Sequence, residues 1–311
     1  MNFSSNRDLS RKIKDFAFSI GLDLIGIAPS KQLKNHSEIL NRWLAAGMNA
    51  DMRFISAGVE KRTNPSLLLD NAKSVVVVGL NYYSAEKQVG QGVPIISRYA
   101  YGNDYHKVVS EKLNALLEFI ISCEPCASGK VCVDSAPILE KAWAREAGLG
   151  WIGKNTILIN KETGSFMFLG EIVLNIELQY DKPFTEDFCG NCRACIDSCP
   201  TNAINNDRTI DARKCISWLT VENKNVIPEE YKGKLADRVF GCDICQDVCP
   251  WNKEILPNDN PDFKLSESIK KMSKEEWLSL SFDYFNELFE KSSIKRATYV
   301  RFARNIKFLF S

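Results

Sequence analysis

The chain has 311 residues, 45% of them apolar, enough for one packed domain and a smaller second one. No apolar run approaches the roughly 20 residues needed to span a bilayer, and the amino terminus has no hydrophobic segment of the signal type, so a cytoplasmic protein without membrane contact is expected. A formal charge of +1 leaves any nucleic-acid contact to a local patch.

Along residues 1–185, apolar runs at Asp23–Ala28, Ser74–Leu80, Lys130–Val133 and Phe166–Ile176 predict buried strands. Between them, Val109, Leu113, Leu116, Leu117 and Ile120 recur at helical spacing, and Ile138–Ala147 reads as a shorter helix ended by Gly148. The expected fold is therefore α/β (or α+β). A polar, proline-bearing link, Asp181–Phe188, leads into a cysteine-rich stretch at 186–255. Residues 256–311 follow as a helical tail in which Ser273-Lys-Glu-Glu276 has the form of a capping box. From Lys291 to Lys307 the tail holds Lys295, Arg296, Arg301 and Arg304 with no acid, interleaved with Tyr299 and Phe302. A solvated helix face explains that pattern more readily than nucleic-acid binding does, unless other features point to RNA.

Eleven cysteines carry the strongest chemistry. Cys189-Gly-Asn-Cys192-Arg-Ala-Cys195-Ile-Asp-Ser-Cys199-Pro200 is the complete C-x2-C-x2-C-x3-C-P run of bacterial ferredoxins, whose fourth thiolate reaches the other cluster. Cys242-Asp-Ile-Cys245-Gln-Asp-Val-Cys249-Pro250 lacks a first cysteine, which Cys215 supplies if 216–241 is an insertion that folds back. Crossed ligation then gives one [4Fe–4S] cluster Cys189, Cys192, Cys195 and Cys249, and the other Cys199, Cys215, Cys242 and Cys245. An odd cysteine count argues against a disulfide framework. Zinc sites pair two C-x2-C units, so a third cysteine two residues on fits clusters better. Cys123, Cys126 and Cys132 read as buried or incidental thiols.

Five further motifs keep company with these runs: Arg98-Tyr-Ala-Tyr-Gly-Asn-Asp-Tyr-His106, Val133-Asp-Ser-Ala-Pro-Ile-Leu-Glu140, Gly148-Leu-Gly-Trp-Ile-Gly-Lys-Asn-Thr156, Cys215-Ile-Ser-Trp-Leu-Thr220 and Gly241 to Asn252. Together, over roughly residues 8–305, they resemble the epoxyqueuosine reductase family. The resemblance implies base-off cobalamin in the α/β domain beside a ferredoxin-like domain with two [4Fe–4S] clusters. It implies removal of the epoxide oxygen from epoxyqueuosine in the anticodon loop of a queuosine-type tRNA; an unidentified electron donor and a monomeric state are expected with it, neither of them read from the sequence. Longer members add HEAT-type repeats that contact tRNA, and the likeness here is to the short form. The expected phosphate contacts are therefore Lys295, Arg296, Arg301 and Arg304 of the tail and Lys224, Lys232 and Lys234 of the preceding loop.

Removing an epoxide oxygen takes two electrons, protons, and an acid beside the departing oxygen. The resemblance makes Asp134 that acid, at the carboxyl end of a strand, with a pKa raised by burial. The competing reading is a helix cap formed by Asp134 or Ser135. Glu140 and Arg145 are secondary candidates in the following helix, with a structural ion pair the favoured use of both. Gly148-x4-Gly153-Lys154 resembles a phosphate loop, but Asn155 occupies the Ser/Thr position. A glycine-rich turn against the corrin is expected instead, with Lys154, Asn155 and Thr156 as polar contacts. Asp104-x-His106 resembles a cobalt-ligating motif, but Val109 replaces its glycine, so His106 is left to a hydrogen bond or a purely structural part. Arg98, Tyr99 and Tyr105 are candidates for the pocket wall, and the resemblance puts Ser217, Trp218 and Asp243 close to the corrin. Two other classes compete: a reductive dehalogenase acting on small organohalides, and a ferredoxin-type carrier that would not retain cobalamin.

Overall fold

The computed structural model describes residues 3–311. Four strands form an antiparallel sheet: β1 (Leu24–Pro29), β2 (Ser74–Asn81), β3 (Gly129–Cys132) and β4 (Met167–Leu174), in the order β1-β2-β4-β3. The register sets Gly26 against Val77, Val77 against Glu171, and Glu171 against Cys132. β2 is apolar almost throughout because both of its faces are covered. Val76 and Val78 pack under helices α1 (Phe3–Ser19) and α2 (Tyr105–Cys123), beside Ile13, Leu113 and Leu116. Val75 and Val77 pack under α3 (Glu140–Glu146), beside Trp143. The strands and helices expected over residues 1–185 are present, but the sheet has no parallel pair. The ligand-placement rule for parallel sheets therefore does not account for Asp134.

α3 ends as expected at Gly148, with φ +80. The Gly148 N–H donates to Arg145 O and the Leu149 N–H to Ala144 O, the paired bonds of a Schellman turn. The capping box at Ser273 and Glu276 is also present.

The cysteine stretch and the tail share a core with the first part of the chain. Ile95–Ile96 pairs in parallel with Arg238–Phe240, and Ile96 and Tyr101 pack with Phe240, Trp277, Phe285 and Phe289. Helix α4 (Thr298–Phe310) closes this core with Phe302 and Ile306, while its buried Asn305 donates to Thr220 O (2.7 Å) and Val239 O (2.8 Å). Burial of an amphipathic helix by tertiary packing outweighs the solvated face that its charges suggest. Among the described residues no helix is long and apolar enough to cross a membrane.

Candidate active site

The two cysteine runs each form a short helical turn, Ala194–Asp197 and Ile244–Asp247. Cys189, Cys192, Cys195 and Cys249 line one cavity of ≈ 260 Å³, with Trp251 and Pro250. These four thiols stand around one shared space. That arrangement suits a cluster, whose ligands stand around a cube, better than a tetrahedral zinc. Burial pushes the Cys215, Cys242 and Cys245 thiols up, and neighbouring thiols add to it: Cys199 for Cys215, Cys215 for Cys242, and Cys242 and Cys215 for Cys245. Thiolates so crowded need a cation among them. The Trp151 indole N–H points at Cys189 Sγ (3.5 Å), and the Ala203 N–H at Cys199 Sγ (3.3 Å).

A larger cavity of ≈ 500 Å³ lies between the sheet domain and the second set of thiols. Tyr99, Tyr105, His106 and Asp134 form one wall, Cys215, Ser217, Trp218 and Glu222 another, and Arg296 and Arg301 a third. Trp218–Glu222 is a π-helical turn, which widens the backbone spiral where these side chains face inward. Tyr99, Tyr105 and Asp134 also line a neighbouring cavity of ≈ 290 Å³, walled by Ile157, Leu158 and Met167–Leu169. Together the two cavities offer an extended, largely apolar cleft beside the cysteines, which suits a flat macrocycle with polar edges.

Asp134 sits just after β3 in the left-handed region, φ +45. Its Oδ2 lies 2.8 Å from His106 Nε2, while His106 Nδ1 lies 2.6 Å from Asp104 Oδ1. Asp104 also caps α2 by accepting the His106 N–H (3.1 Å), so the start of one helix holds the imidazole between two carboxylates. Burial opposes a charged imidazole, but bonds to Asp134 and Asp104 prevail and raise the His106 pKa. Partial burial likewise pushes Asp134 up, yet the His106 bond and charge, helped by Tyr105, hold it below its ordinary value. The raised value expected for Asp134 is therefore not found in the free chain: the neighbouring imidazole favours the Asp134 carboxylate, and the carboxylates favour the proton on His106. The capping alternative also fails, because α3 has Leu139 at its N-cap and no side-chain cap bond. With both nitrogens engaged, His106 has none to offer a metal.

Several expected contacts lie elsewhere. Glu140 forms no ion pair with Arg145: it accepts the Asp134 N–H (2.6 Å), while Arg145 donates to Phe184 O (3.1 Å). Burial, then the Asp134 charge, pushes the Glu140 pKa up. Arg98 is 5% exposed and lines neither cavity of the cleft; it donates to Asp247 (2.7 Å), Asp243 (3.2 Å) and Ser84 O (2.9 Å). Asp243 is spent on Arg98 and the Ser97 hydroxyl, locking the cluster stretch to the sheet domain. Lys154 donates to Gly190 O and Cys192 O (2.6 and 2.8 Å), and Asn155 to Cys245 O (3.5 Å), so both support cluster loops. Ser135 and Thr156 line none of these three cavities. The glycine turn packs against protein: a Cβ on Gly150, φ +159, would stand 2.1 Å from Ile159 O. Arg301 donates to Val221 O and Arg296 O (3.0 and 2.6 Å), and Arg304 to Asn223 O (2.8 Å), Leu219 O (3.1 Å) and Asn225 O. Both arginines therefore fasten the tail. Lys224, Lys232, Lys234, Lys295 and Arg296 remain exposed. Asp104 and Glu222, absent from the expected site, belong to it; their only signal was proximity to His106 and Trp218.

A family model described as "4Fe-4S double cluster binding domain" matches residues 188–252, and one described as "Epoxyqueuosine reductase QueG, DUF1730" matches 62–135. The epoxyqueuosine reductase of Cellulophaga algicola is 45% identical over 297 residues, covering 96% of each chain. That of Leadbetterella byssophila is 44% identical, covering 97% of this chain and 99% of the relative. A crystal structure of an epoxyqueuosine reductase with an epoxyqueuosine-modified tRNA-Tyr stem loop superposes with a TM-score of 0.91 at 33% identity, over 97% of this chain and 81% of that one. The Streptococcus thermophilus enzyme gives 0.89 at 28% identity, with the same coverage.

Proposed function

Since this chain belongs to the epoxyqueuosine reductase family, we propose which of its residues carry that family's reaction. The activity is reduction of epoxyqueuosine to queuosine in tRNA, with cobalamin and two [4Fe–4S] clusters. Loss of the epoxide oxygen as water consumes two electrons and two protons. Bound cobalamin would supply a strongly reducing cobalt centre, and the clusters would supply its electrons. Cys189, Cys192, Cys195 and Cys249 would hold one cluster and Cys199, Cys215, Cys242 and Cys245 the other. The cleft walled by Tyr99, Tyr105, Ile157, Leu158, Ser217 and Trp218 would hold the corrin.

One observation carries the catalytic assignment: Asp134, bonded to His106, lines the same cavity as Cys215 and Trp218, so an acid and a cluster ligand face one space. Asp134 gives a proton to the departing oxygen. His106 Nε2 refills Asp134 Oδ2, and Asp104 keeps the ring in place while its charge changes. Val221, Phe240 and Tyr99 give the cavity an apolar lining beside the acid, whose side chain is 51% exposed, so a bound corrin would have to complete its screening from water. Exposed Lys224, Lys232, Lys234, Lys295 and Arg296 meet tRNA phosphates. An electron donor approaches the cluster with the exposed ligand, Cys192. The enzyme acts as a cytoplasmic monomer, and its working parts are 1–185 for cobalamin and catalysis, 186–255 for the clusters and 256–311 for the tail. A dehalogenase or a bare electron carrier is not favoured by relatives that match 96% of the chain.

The test is anaerobic: holoenzyme, strong reductant and epoxyqueuosine-bearing tRNA, followed by digestion and mass analysis of the nucleoside. Loss of one oxygen is expected from the native chain. Asp134→Asn should retain clusters and cobalamin but not turn over; turnover near that of the native chain would remove Asp134 from its role.

A further inference from the structure

The acid does not end at His106. Asp104, which fixes Nδ1, has its other oxygen 3.4 Å from Arg296 Nε in the basic tail. Arg296 is 55% exposed, and its two terminal nitrogens make no hydrogen bond among the described residues. Its backbone is held from behind by Arg301, which donates to Arg296 O (2.6 Å), so the guanidinium is presented at the mouth of the cavity on a fixed support. Four residues thus form one line, Arg296–Asp104–His106–Asp134, running from the exposed tail to the acid.

We propose that Arg296 is a positioning residue that couples seating of a tRNA phosphate on the tail to retention of the proton on the His106–Asp134 pair. This rests on the reading of Asp134 as acid and of the tail as a phosphate contact. In the free chain the Arg296 cation shares Asp104 with His106 and bears on Asp134, and both effects disfavour the protonated pair. A phosphate that takes the two free nitrogens neutralises that cation. Asp104 is then left to the imidazolium alone, and the pair keeps its proton to higher pH. Seating of the substrate's backbone thus extends the pH range over which the enzyme holds its acid. The other charged or titratable groups around the pair stay where they are: Tyr105 beside His106, Tyr99, Arg62, Glu140 and Lys141 on the sheet-domain side, and Glu222 and Arg301 opposite.

The chain has only two histidines, so the His106 imidazole can be followed by NMR in holoenzyme with oxidised clusters, with His36 as an internal reference. An unreactive tRNA stem loop lacking the epoxide is the probe. On binding it, the native protein should show the His106 midpoint rise by about one pH unit. Arg296→Gln should already titrate at the higher value when free, with no further rise, and Arg296→Lys should restore the rise. The alkaline limb of the single-turnover deoxygenation rate should follow the same midpoints. A rise that persists in Arg296→Gln, or no rise in native protein saturated with stem loop, would overturn the coupling. Native holoenzyme that neither binds the stem loop nor deoxygenates tRNA would instead overturn the functional reading beneath it.

Discussion

Arg98→Met separates a structural lock from a cofactor contact. The guanidinium is 5% exposed and the Asp243 side chain 2%, and the change removes contacts at 2.7 Å to Asp247, 3.2 Å to Asp243 and 2.9 Å to Ser84 O. Breaking a buried ion pair by deleting one partner costs about 3–5 kcal/mol, because the remaining charge is left without compensation. The lost bond to the Ser84 carbonyl adds about 1 kcal/mol. At roughly 2–4 °C per kcal/mol for a protein of this size class, the unfolding midpoint of the holoenzyme should fall by about 10 °C or more. Asp243→Asn added to Arg98→Met should recover part of that loss, since it removes the orphaned charge. The assay is thermal unfolding followed at the cluster absorbance, with cobalamin content measured on the same samples below the transition. An unchanged midpoint accompanied by loss of cobalamin would refute the lock and restore Arg98 to the cofactor.

Arg304→Ala should destabilise the protein by about 2–3 kcal/mol, because the carbonyls of Leu219, Asn223 and Asn225 lose a charged donor; an unchanged unfolding midpoint would count against the fastening. Replacing Lys224, Lys232, Lys234 and Lys295 together by alanine should leave folding intact and reduce the salt slope of tRNA binding by about 3, and an unaltered slope would place the footprint elsewhere. With the His106 pKa raised, its stabilising contribution is complete below the ordinary histidine value of about 6.5 and fades as pH rises through the higher folded value. His106→Asn should therefore flatten the alkaline flank of the stability curve, measured by denaturant unfolding from about pH 6 to 9; a native-like slope would contradict the imidazolium. Cys249→Ala should lower bound iron by about half, from roughly eight atoms per chain, with no further loss on adding Cys189→Ala and near-complete loss on adding Cys245→Ala. Equal losses in the two double variants would break the crossed assignment.

The iron–sulfur domain was legible because the run from Cys189 to Cys199 places its thiols by local geometry, and a spacing of two residues carries that information in the chain itself. The strands, α2 and the Schellman end of α3 were legible for the same reason: apolar periodicity and a glycine stop are local signals. Asp134 was singled out through family resemblance, and neither its partner nor its charge state could be read from the chain. The bond from Asp134 to His106 spans 28 residues, and that from Asp104 to Arg296 spans 192, so only the folded chain brings these groups together. The arginines show the limit most clearly. Arg98, Arg301 and Arg304 look like ligand-binding cations in the sequence, yet each finds acceptors inside the protein. A guanidinium carries its donors at the end of a long flexible arm, so its role is set by whichever acceptors the tertiary structure places within reach. A cysteine in a tight run has no such freedom. Local spacing thus determined the iron–sulfur chemistry, while long-range packing decided which charges serve the site and which hold the fold together.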